Sequence, residues 1–273
     1  MKKLFSGIVA LSLLALAACG SADTQGSGGN ESSEAEESKK IVIGTDAAFA
    51  PFEFLDKGEI VGFDVDLISA VLEEVGLDFE INNVGWDPIP IMLNNNEIDI
   101  AVSAMTITED RLESFDFSNP YFESTHMMVF KEGTNITNAN DLVGLKIGVQ
   151  TATTGQTAAE KIVGENDSSI SKYENTAVAF MALQNGDVDV VVTDNVVAFE
   201  YVQNNPEQEV IALDDTTNFD AEYYGFMFKK DNDLKAQVNA GLKTVIENGT
   251  YSEIYEKWFG EQPNVDLLLE LME

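Results

Sequence analysis

Cysteine and histidine are almost absent from this chain, which has one of each in 273 residues. One cysteine cannot form an intramolecular disulfide, and one histidine excludes a histidine-rich metal cluster. A histidine-dependent nucleophile is disfavoured as well, because only one such base exists. The sequence therefore predicts no cofactor and no metal site.

Basic side chains are also scarce. The 15 lysines and arginines stand against 48 aspartates and glutamates, which gives a formal net charge of −33. A chain with this charge repels nucleic-acid phosphates and anionic lipid headgroups. We therefore exclude nucleic acid as a main partner and assign most of the acidic residues to solvated surface.

A hydrophobic run covers residues 4–18 and directly follows Lys2 and Lys3. A bilayer span needs about 20 apolar residues, so this run is too short and is typical of a signal peptide. Small residues precede Cys19, in a pattern that resembles a bacterial lipobox. We predict a signal peptide over 1–18 and a diacylated Cys19 that anchors the protein at the outer face of the cell membrane; an ordinary signal peptide with an incidental cysteine is the alternative.

Residues 20–38 contain no valine, isoleucine, leucine or aromatic residue, so they cannot bury enough surface to fold. A flexible chain of this length extends about 24 Å on average. We predict a linker over 19–39 that keeps the folded body near a membrane.

Short β-rich runs alternate with helical patterns from Ile41 onward. Residues 41–43 are typical of a strand, and apolar residues recur at helical spacing over 64–75. Asp64 is placed to cap this helix and Gly76 to end it. The alternation predicts parallel α/β sheet.

Two segments 90 residues apart match each other: 93–103 and 183–193 each contain a helix end, a tight turn and a strand. Residues 43–46 also resemble 147–150. These matches predict two similar α/β lobes, with chance similarity between α/β units as the alternative. Because ligands bind beyond the carboxyl ends of parallel strands, the residues expected to face a ligand are Asp46, 104–106, 150–154 and Asp194.

Arg111 is the only arginine of the sequence, and it lies in a short helix that Thr108 is placed to cap. Its guanidinium can hold a carboxylate through two parallel hydrogen bonds, which a lysine cannot match. The alternative is a surface ion pair with Glu113 or Asp116. Arg111 is therefore a candidate ligand for a carboxylate.

Thr153, Thr154 and Gly155 follow a predicted strand and open a helix, whose first amide groups suit a carboxylate. Asp194 follows the matching strand, where it can accept an ammonium group or can cap a helix. A cleft that offers both Arg111 and Asp194 suits a zwitterion.

Aromatic residues divide into cleft and core candidates. Phe49 and Trp86 follow strands and are predicted to wall the aliphatic part of a ligand, whereas Phe52 and Phe54 are predicted to pack. We interpret His126 as a structural residue near the connection between the lobes. Four aromatic residues at helical spacing are predicted core: Tyr251, Tyr255, Trp258 and Phe259.

Several motifs resemble those of the polar amino-acid binding proteins of ABC uptake systems, solute-binding protein family 3. The resemblance covers about residues 40–260. The matching stretches are GTDAAFAPFEF at 44–54, GFDVDL at 62–67, MTITEDR at 105–111, FDFSNPY at 115–121, VVTD at 191–194 and KWFG at 257–260.

The resemblance implies a periplasmic-binding-protein type II fold. In that fold, two similar α/β lobes are joined by a two-stranded hinge and close over one amino acid in the interlobe cleft. Lobe 1 would comprise residues 40–126 and 223–261, lobe 2 would comprise 127–222, and 262–273 would form a tail.

The resemblance also implies roles for individual residues. Arg111 would bind the α-carboxylate with help from Thr106 and the Thr154 amide. The α-ammonium would contact Asp194, the Ala104 carbonyl and the Thr106 hydroxyl. The implied ligand-binding residues are Asp46, Phe49, Trp86, Ala104, Met105, Thr106, Arg111, Gln150, Thr153, Thr154 and Asp194.

Asp46 and Gln150 would then contact the polar terminal group of the ligand side chain, which Phe49 and Trp86 would hold between them. Glutamine binders of the family tend to carry lysine at the position of Gln150, and glycine is usual at the position of Ala152. The pair suits a cationic tip such as that of arginine, and glutamine stays open.

The function implied is that of a monomeric, extracytoplasmic receptor. It would bind a free amino acid, basic or glutamine, and deliver it to the permease subunits of an ABC importer. The alternatives are a dehydratase-type enzyme, with Glu53 or Asp46 as general acid, and a sensory ligand-binding module. Because Arg111 and Asp194 together favour retained amino-acid binding, we expect no enzymatic activity.

Overall fold

The computed structural model describes residues 40–272, in which strands and helices alternate along the chain. The predicted signal peptide, Cys19 and the predicted linker through residue 39 lie outside the described residues. The strands are β1 (Ile41–Thr45), β2 (Ala48–Phe49), β3 (Glu53–Asp56), β4 (Glu59–Val61), β5 (Phe79–Asn83), β6 (Ile100–Ala101), β7 (Phe115–Phe117), β8 (Phe122–Ser124), β9 (His126–Lys131), β10 (Ile147–Gln150), β11 (Ile170–Tyr173), β12 (Val190–Asp194), β13 (Val210–Asp214), β14 (Glu222–Tyr224) and β15 (Met227–Lys229). The helices are α1 (Phe63–Glu74), α2 (Ile89–Asn95), α3 (Glu109–Ser114), α4 (Thr154–Val163), α5 (Thr176–Asn185), α6 (Asn195–Asn204), α7 (Leu234–Glu247), α8 (Thr250–Phe259) and α9 (Val265–Glu270), with short 3₁₀ helices at Ala139–Leu142 and Pro206–Gln208.

Two five-stranded sheets share one plan. Their strand orders are β5-β1-β6-β15-β7 and β11-β10-β12-β9-β13. In each, the first three strands are parallel, and the fourth is antiparallel to both of its neighbours. We call the first sheet with its helices lobe 1 and the second sheet with its helices lobe 2. The prediction of two similar α/β lobes is confirmed.

The internal repeat extends to individual hydrogen bonds at the residues that directly precede β6 and β12. The Asp99 amide donates to the Val42 carbonyl at 2.7 Å, and the Asp189 amide donates to the Lys146 carbonyl at the same distance. Each aspartate also accepts the amide of that partner on its carboxylate, at 3.0 Å for Asp99 and 2.8 Å for Asp189. The matched sequence segments therefore form matched structure.

The chain crosses between the lobes twice. It leaves lobe 1 through β8 and returns through β14, and these two strands pair antiparallel, with Phe122 opposite Tyr224 and Ser124 opposite Glu222. Because both crossings run side by side, they form the expected two-stranded hinge.

Helix α1 begins one residue before its predicted start. Gly62 precedes it with φ of 145°, and a Cβ there would lie 2.0 Å from the Phe52 carbonyl oxygen, so glycine is required. Asp64 is therefore not the helix cap that the sequence predicts. It lies in the first turn, fully buried, and bonds to distant partners. The predicted apolar face, which includes Leu67 and Val71, is buried.

Aromatic side chains fill much of the lobe 1 core. Phe52 lies 4.9 Å from Phe122 and 5.7 Å from Phe259, measured between ring centroids. Tyr251 is buried, and Tyr255 packs on the same cluster, as predicted. Phe54 and Trp258 pack edge to face at 5.9 Å.

The C-terminal segment packs on the folded body through α9, where Leu268 is buried. Within residues 40–272, no helix has both the length and the apolar character that a membrane crossing requires.

Candidate ligand-binding cleft

Ten of the eleven predicted ligand-binding residues line one cleft between the lobes. The cleft has a volume of about 440 Å³, part of which is open to solvent. The predicted residues that line it are Asp46, Phe49, Trp86, Ala104, Thr106, Arg111, Gln150, Thr153, Thr154 and Asp194. The carboxyl ends of β1, β6, β10 and β12 all open into it, which is the edge where open α/β sheets bind ligands.

Met105 is the exception among the predicted residues. Its side chain is buried in an apolar cluster of lobe 1 with Phe115 and Met227. Ala104 and Thr106, the residues on either side of it in sequence, both line the cleft. The Met105 side chain therefore lies outside the cleft, and a role of Met105 in ligand binding stays a prediction.

Arg111 is placed by local helix structure. Thr108 caps α3 by accepting the Arg111 amide on its hydroxyl at 3.2 Å, as predicted. The guanidinium Nη1 donates to the Thr106 carbonyl at 2.7 Å, and the guanidinium carbon Cζ lies 5.6 Å from the centre of the Trp86 ring. These contacts direct the only arginine of the sequence into the cleft.

The alternative of a surface ion pair for Arg111 is wrong. Asp116 pairs with Lys230 at 3.1 Å, and within residues 40–272 no carboxylate lies within 4.0 Å of the Arg111 guanidinium. Burial lowers the pKa of Arg111, while the charges of Glu222 and Asp194 oppose that shift. A partly desolvated guanidinium without a contacting carboxylate is suited to receive an anion.

Helix α4 brings its N-terminus to the same place from lobe 2. Thr153 caps it by accepting the Gln156 amide at 3.2 Å. The Thr154 hydroxyl lies 3.3 Å from the Thr106 hydroxyl, so the two lobes touch here. The first-turn amides of a helix have no intrahelical acceptor, and they favour an anion.

Asp194 ends β12 and occupies the position before α6, but its carboxylate does not cap that helix. It accepts a hydrogen bond from the Tyr224 hydroxyl, and its Oδ1 lies 3.6 Å from His126 Nε2. The helix-cap alternative is therefore wrong. Burial raises the pKa of Asp194, against the opposing effects of His126, Tyr224 and Arg111.

Glu222 in the hinge is a cleft neighbour that sequence reasoning missed. Its Oε2 accepts the Thr106 hydroxyl at 3.0 Å, and its Oε1 lies 3.7 Å from His126 Nδ1. His126 begins β9 and is buried between this carboxylate and Asp194. No local pattern marks Glu222, because its contacts are distant in sequence: Thr106, which bonds to it, is 116 residues away.

A second polar contact joins the lobes at Asp46. The Gln150 amide nitrogen donates to Asp46 Oδ2 at 3.1 Å, and the Gln150 oxygen accepts the Thr176 hydroxyl at 3.0 Å. Thr176 therefore turns the amide nitrogen of Gln150 toward Asp46. Burial raises the pKa of Asp46 to about 6; the Gln150 hydrogen bond opposes this, and the charges of Asp87 and Glu174 add to it.

Phe49 and Trp86 both line the cleft from lobe 1. Phe49 stacks on Phe52 with ring centroids 6.1 Å apart, which fixes it to the core. The cleft also contains polar side chains that the ligand prediction omitted, among them Glu53, Ser103 and Thr176. In the part of the chain that the structure describes, no group of three or more histidine, cysteine, aspartate or glutamate residues could hold a metal ion.

The family model of the bacterial extracellular solute-binding proteins, family 3, matches residues 41–261. The chain is 37% identical over 268 residues to a probable histidine-binding protein of Neisseria gonorrhoeae, across 96% of this chain and 97% of that protein. It is 34% identical over 279 residues to the ABC transporter glutamine-binding protein GlnH of Bacillus subtilis (strain 168), across 96% and 99%. Its fold is similar to that of the arginine-, lysine-, histidine-binding protein ArtJ of Geobacillus stearothermophilus, with 54% identity and a TM-score of 0.83 over 85% of this chain and 100% of that one.

Two lobes, a paired hinge and a polar cleft between them define a solute-binding protein. This chain belongs to the bacterial extracellular solute-binding proteins, family 3. The expected periplasmic-binding-protein type II fold is confirmed. The three similar proteins carry the names of binding proteins rather than of enzymes.

Proposed function

We propose that this protein binds a free amino acid with a cationic side chain in the interlobe cleft and delivers it to the permease of an ABC importer. The observation that carries the proposal is the distribution of charge. Arg111 and Asp194 interact electrostatically with each other, whereas Asp46 has other acidic neighbours. The first pair suits the α-carboxylate and α-ammonium, and Asp46 suits a cationic side chain.

The α-groups would be bound by residues from both lobes. Arg111 would hold the carboxylate through two hydrogen bonds, with a further donor from the backbone amide of Thr154. Asp194 and the Ala104 carbonyl would accept the ammonium. The Thr106 hydroxyl donates to Glu222, so its lone pairs stay available to the same ammonium.

The side chain would be selected by electrostatics around Asp46. Burial and the charges of Asp87 and Glu174 disfavour its ionised form, and a bound cation would favour it. The Gln150 oxygen already accepts from Thr176, and its amide nitrogen points to Asp46. A neutral amide side chain would relieve none of the acidic repulsion.

Names of the similar proteins support this class of ligand. ArtJ is named for arginine, lysine and histidine, and the Neisseria protein for histidine. GlnH is named for glutamine, which is the second candidate. The amide–carboxylate contact between Gln150 and Asp46 favours it, since a glutamine side chain could bond to both groups.

Membrane attachment is part of the proposal. Removal of residues 1–18 would leave Cys19 as a diacylated N-terminus, and residues 19–39 would tether a monomeric receptor near its permease. Mass spectrometry of the mature protein tests this: a lipid-modified Cys19 is expected, and an unmodified N-terminus contradicts it.

Isothermal titration of the purified protein tests the ligand class, after unfolding and refolding to remove co-purified amino acids. Arginine or lysine should bind one to one and at least about tenfold more tightly than glutamine, a difference of about 1.4 kcal/mol. Asp46→Asn should weaken the cationic amino acids by about tenfold and change glutamine little. Preferential binding of glutamine would support the second candidate, and absence of binding to every amino acid would contradict both.

Arg111→Lys keeps the positive charge but removes the planar fork. Every amino acid should therefore bind at least about tenfold more weakly to this variant. Lys243→Arg, the reverse exchange at an exposed position of α7, is the matched control and should leave affinity unchanged. Equal affinity of the wild-type protein and Arg111→Lys would contradict the assignment of Arg111 to the α-carboxylate of the ligand.

The other two functions have distinct readouts. Conversion of a prephenate-like acid by the purified protein would favour the dehydratase alternative, with Glu53 or Asp46 as the acid. Capture of a membrane receptor instead of permease subunits would favour the sensory alternative.

A further inference from the structure

Two acidic side chains lie together against the cleft, and neither reaches solvent. Glu53 in β3 and Asp64 in the first turn of α1 are both 0% exposed. Among residues 40–272, no lysine, arginine or histidine nitrogen lies within 4.0 Å of either carboxyl group. Two carboxylates without a cation cannot both be ionised at close range in a buried site.

Hydrogen bonds account for half of the carboxyl oxygens. The Ser103 hydroxyl donates to Glu53 Oε1 at 2.8 Å. Asp64 Oδ2 accepts both the Ala104 amide and the Tyr121 hydroxyl, each at 2.8 Å. The other two oxygens, Glu53 Oε2 and Asp64 Oδ1, are buried and have no donor among the described residues.

The two carboxyl groups interact electrostatically, and each of them contributes one of the two buried oxygens that lack a donor. Because every carboxylate oxygen is an acceptor, a hydrogen on one of the two groups is needed for these oxygens to bond to each other. We propose that Glu53 and Asp64 share one proton, and that this pair positions the ligand-binding ends of β1 and β6.

The proton belongs mainly to Glu53. Asp64 Oδ2 accepts two donors, which stabilises its ionised form, whereas Glu53 accepts one. Burial raises the pKa of Glu53 well above its usual range, and the charges of Asp64 and Asp46 raise it further. Burial raises the pKa of Asp64 to about 6, against the Ala104 amide and the Tyr121 hydroxyl.

The pair reaches two segments of the cleft. The Asp46 amide donates to the Ser103 hydroxyl at 3.2 Å, and that hydroxyl donates to Glu53. Asp64 holds the amide of Ala104, which has a φ of 44° that a non-glycine residue rarely adopts. Glu53 and Asp64 are therefore positioning residues. Their positioning role rests on the proposed function, because it concerns the amino acid bound in the cleft, whereas the shared proton does not depend on that function.

The shared proton makes the free energy of unfolding depend on pH, and the direction of that dependence follows from the groups around Glu53. The groups that face Glu53 are Asp64 from α1, Asp46 directly after β1 and Ser103 after β6, and Tyr121 bonds to Asp64 through its hydroxyl. Since Glu53 holds its proton longer in the folded state than in the unfolded chain, its contribution to the unfolding free energy falls as pH rises above its ordinary pKa of 4.5. Glu53→Gln should remove that dependence, because an amide can donate to Asp64 and accept from Ser103 at any pH.

The experiment compares wild type, Glu53→Gln, Glu53→Ala and the control Glu74→Gln, an exposed acid on α1. Infrared spectra at about pH 8 should show a buried protonated carboxyl band in wild type and Glu74→Gln, and no such band in Glu53→Gln. Arginine titration should give affinities within about threefold of wild type for Glu53→Gln and at least about tenfold weaker for Glu53→Ala.

Absence of the band in wild type, or its persistence in Glu53→Gln, would overturn the shared proton. Binding by Glu53→Gln as weak as that of Glu53→Ala would overturn the positioning role. If wild type binds no amino acid, the proposed function fails, while the infrared comparison still decides the state of Glu53.

Discussion

Tyr224 connects the hinge to the cleft through one hydroxyl group. That hydroxyl donates to the Asp194 carboxylate of lobe 2 and lies 2.9 Å from the Ser124 hydroxyl on the paired hinge strand. Burial and the Asp194 charge raise the pKa of Tyr224 well above its usual range, so the phenol stays a donor at physiological pH.

Replacing Tyr224 with phenylalanine should lower the free energy of unfolding by about 2 kcal/mol, because a buried carboxylate loses a charge-assisted donor. Tyr223→Phe, at the adjacent and more exposed position of the same strand, should change it by less than about 0.5 kcal/mol. Urea unfolding of the two variants is the measurement. Equal losses would show that Asp194 does not depend on this hydroxyl.

Sequence predicts residues well where their partners are local. Thr108 caps the helix that it directly precedes, as expected, and α4 begins at the threonines that were predicted to open it, with Thr153 as its cap. Asp64 was assigned to the same kind of cap, yet its partners Ala104 and Tyr121 are 40 and 57 residues away. No local pattern carries that information, and the carboxyl pair was therefore visible only in the structure.

The turn between β10 and α4 carries backbone strain. Ala152 adopts a φ of 55°, in the left-handed region that favours glycine. The family resemblance marked this position as one where glycine is usual, and the structure gives the physical reason. The alanine is accommodated because the turn must bring Gln150, Thr153 and Thr154 to the cleft.

Ala152→Gly should raise the free energy of unfolding by about 1 kcal/mol, since it removes the clash of Cβ in this conformation. Ala240→Gly, in the exposed middle of α7, is the control and should lower it by about 1 kcal/mol. Thermal and denaturant unfolding measure both. Destabilisation by both variants would show that the Ala152 conformation costs nothing.

Charge governs the molecule as a whole. The formal net charge is −33, and burial raises the pKa of Glu53, Asp64, Asp46 and Asp194. The folded state therefore holds more protons than the unfolded chain above about pH 4.5. Exposed acids with lowered pKa values, such as Asp141 and Asp167, act in the opposite sense only at lower pH.

We expect the free energy of unfolding to fall as pH rises from about 5 to about 7, and to recover partly when salt screens the surface repulsion. Urea unfolding across that range, at low and at moderate ionic strength, measures both effects. A free energy that rises over the same range would mean that the buried acids ionise without cost.

The division of the whole molecule into two lobes is the feature that the sequence predicts best. The match of residues 93–103 to 183–193 predicted two similar lobes, because each repeat encodes a complete helix–turn–strand unit. The positions of β9 and β15, which enter their sheets antiparallel, could not be predicted in this way. They depend on pairings such as Met227 with Ala101, between residues far apart in sequence.

The position of β15 has a consequence for biosynthesis. This strand lies between β6 and β7, so the lobe 1 sheet stays split until residues 227–229 have been made, whereas every strand of the lobe 2 sheet has been made by residue 214. Such long-range pairing slows folding. A chain emerging in order can therefore complete the sheet of lobe 2 first and the sheet of lobe 1 only at the end.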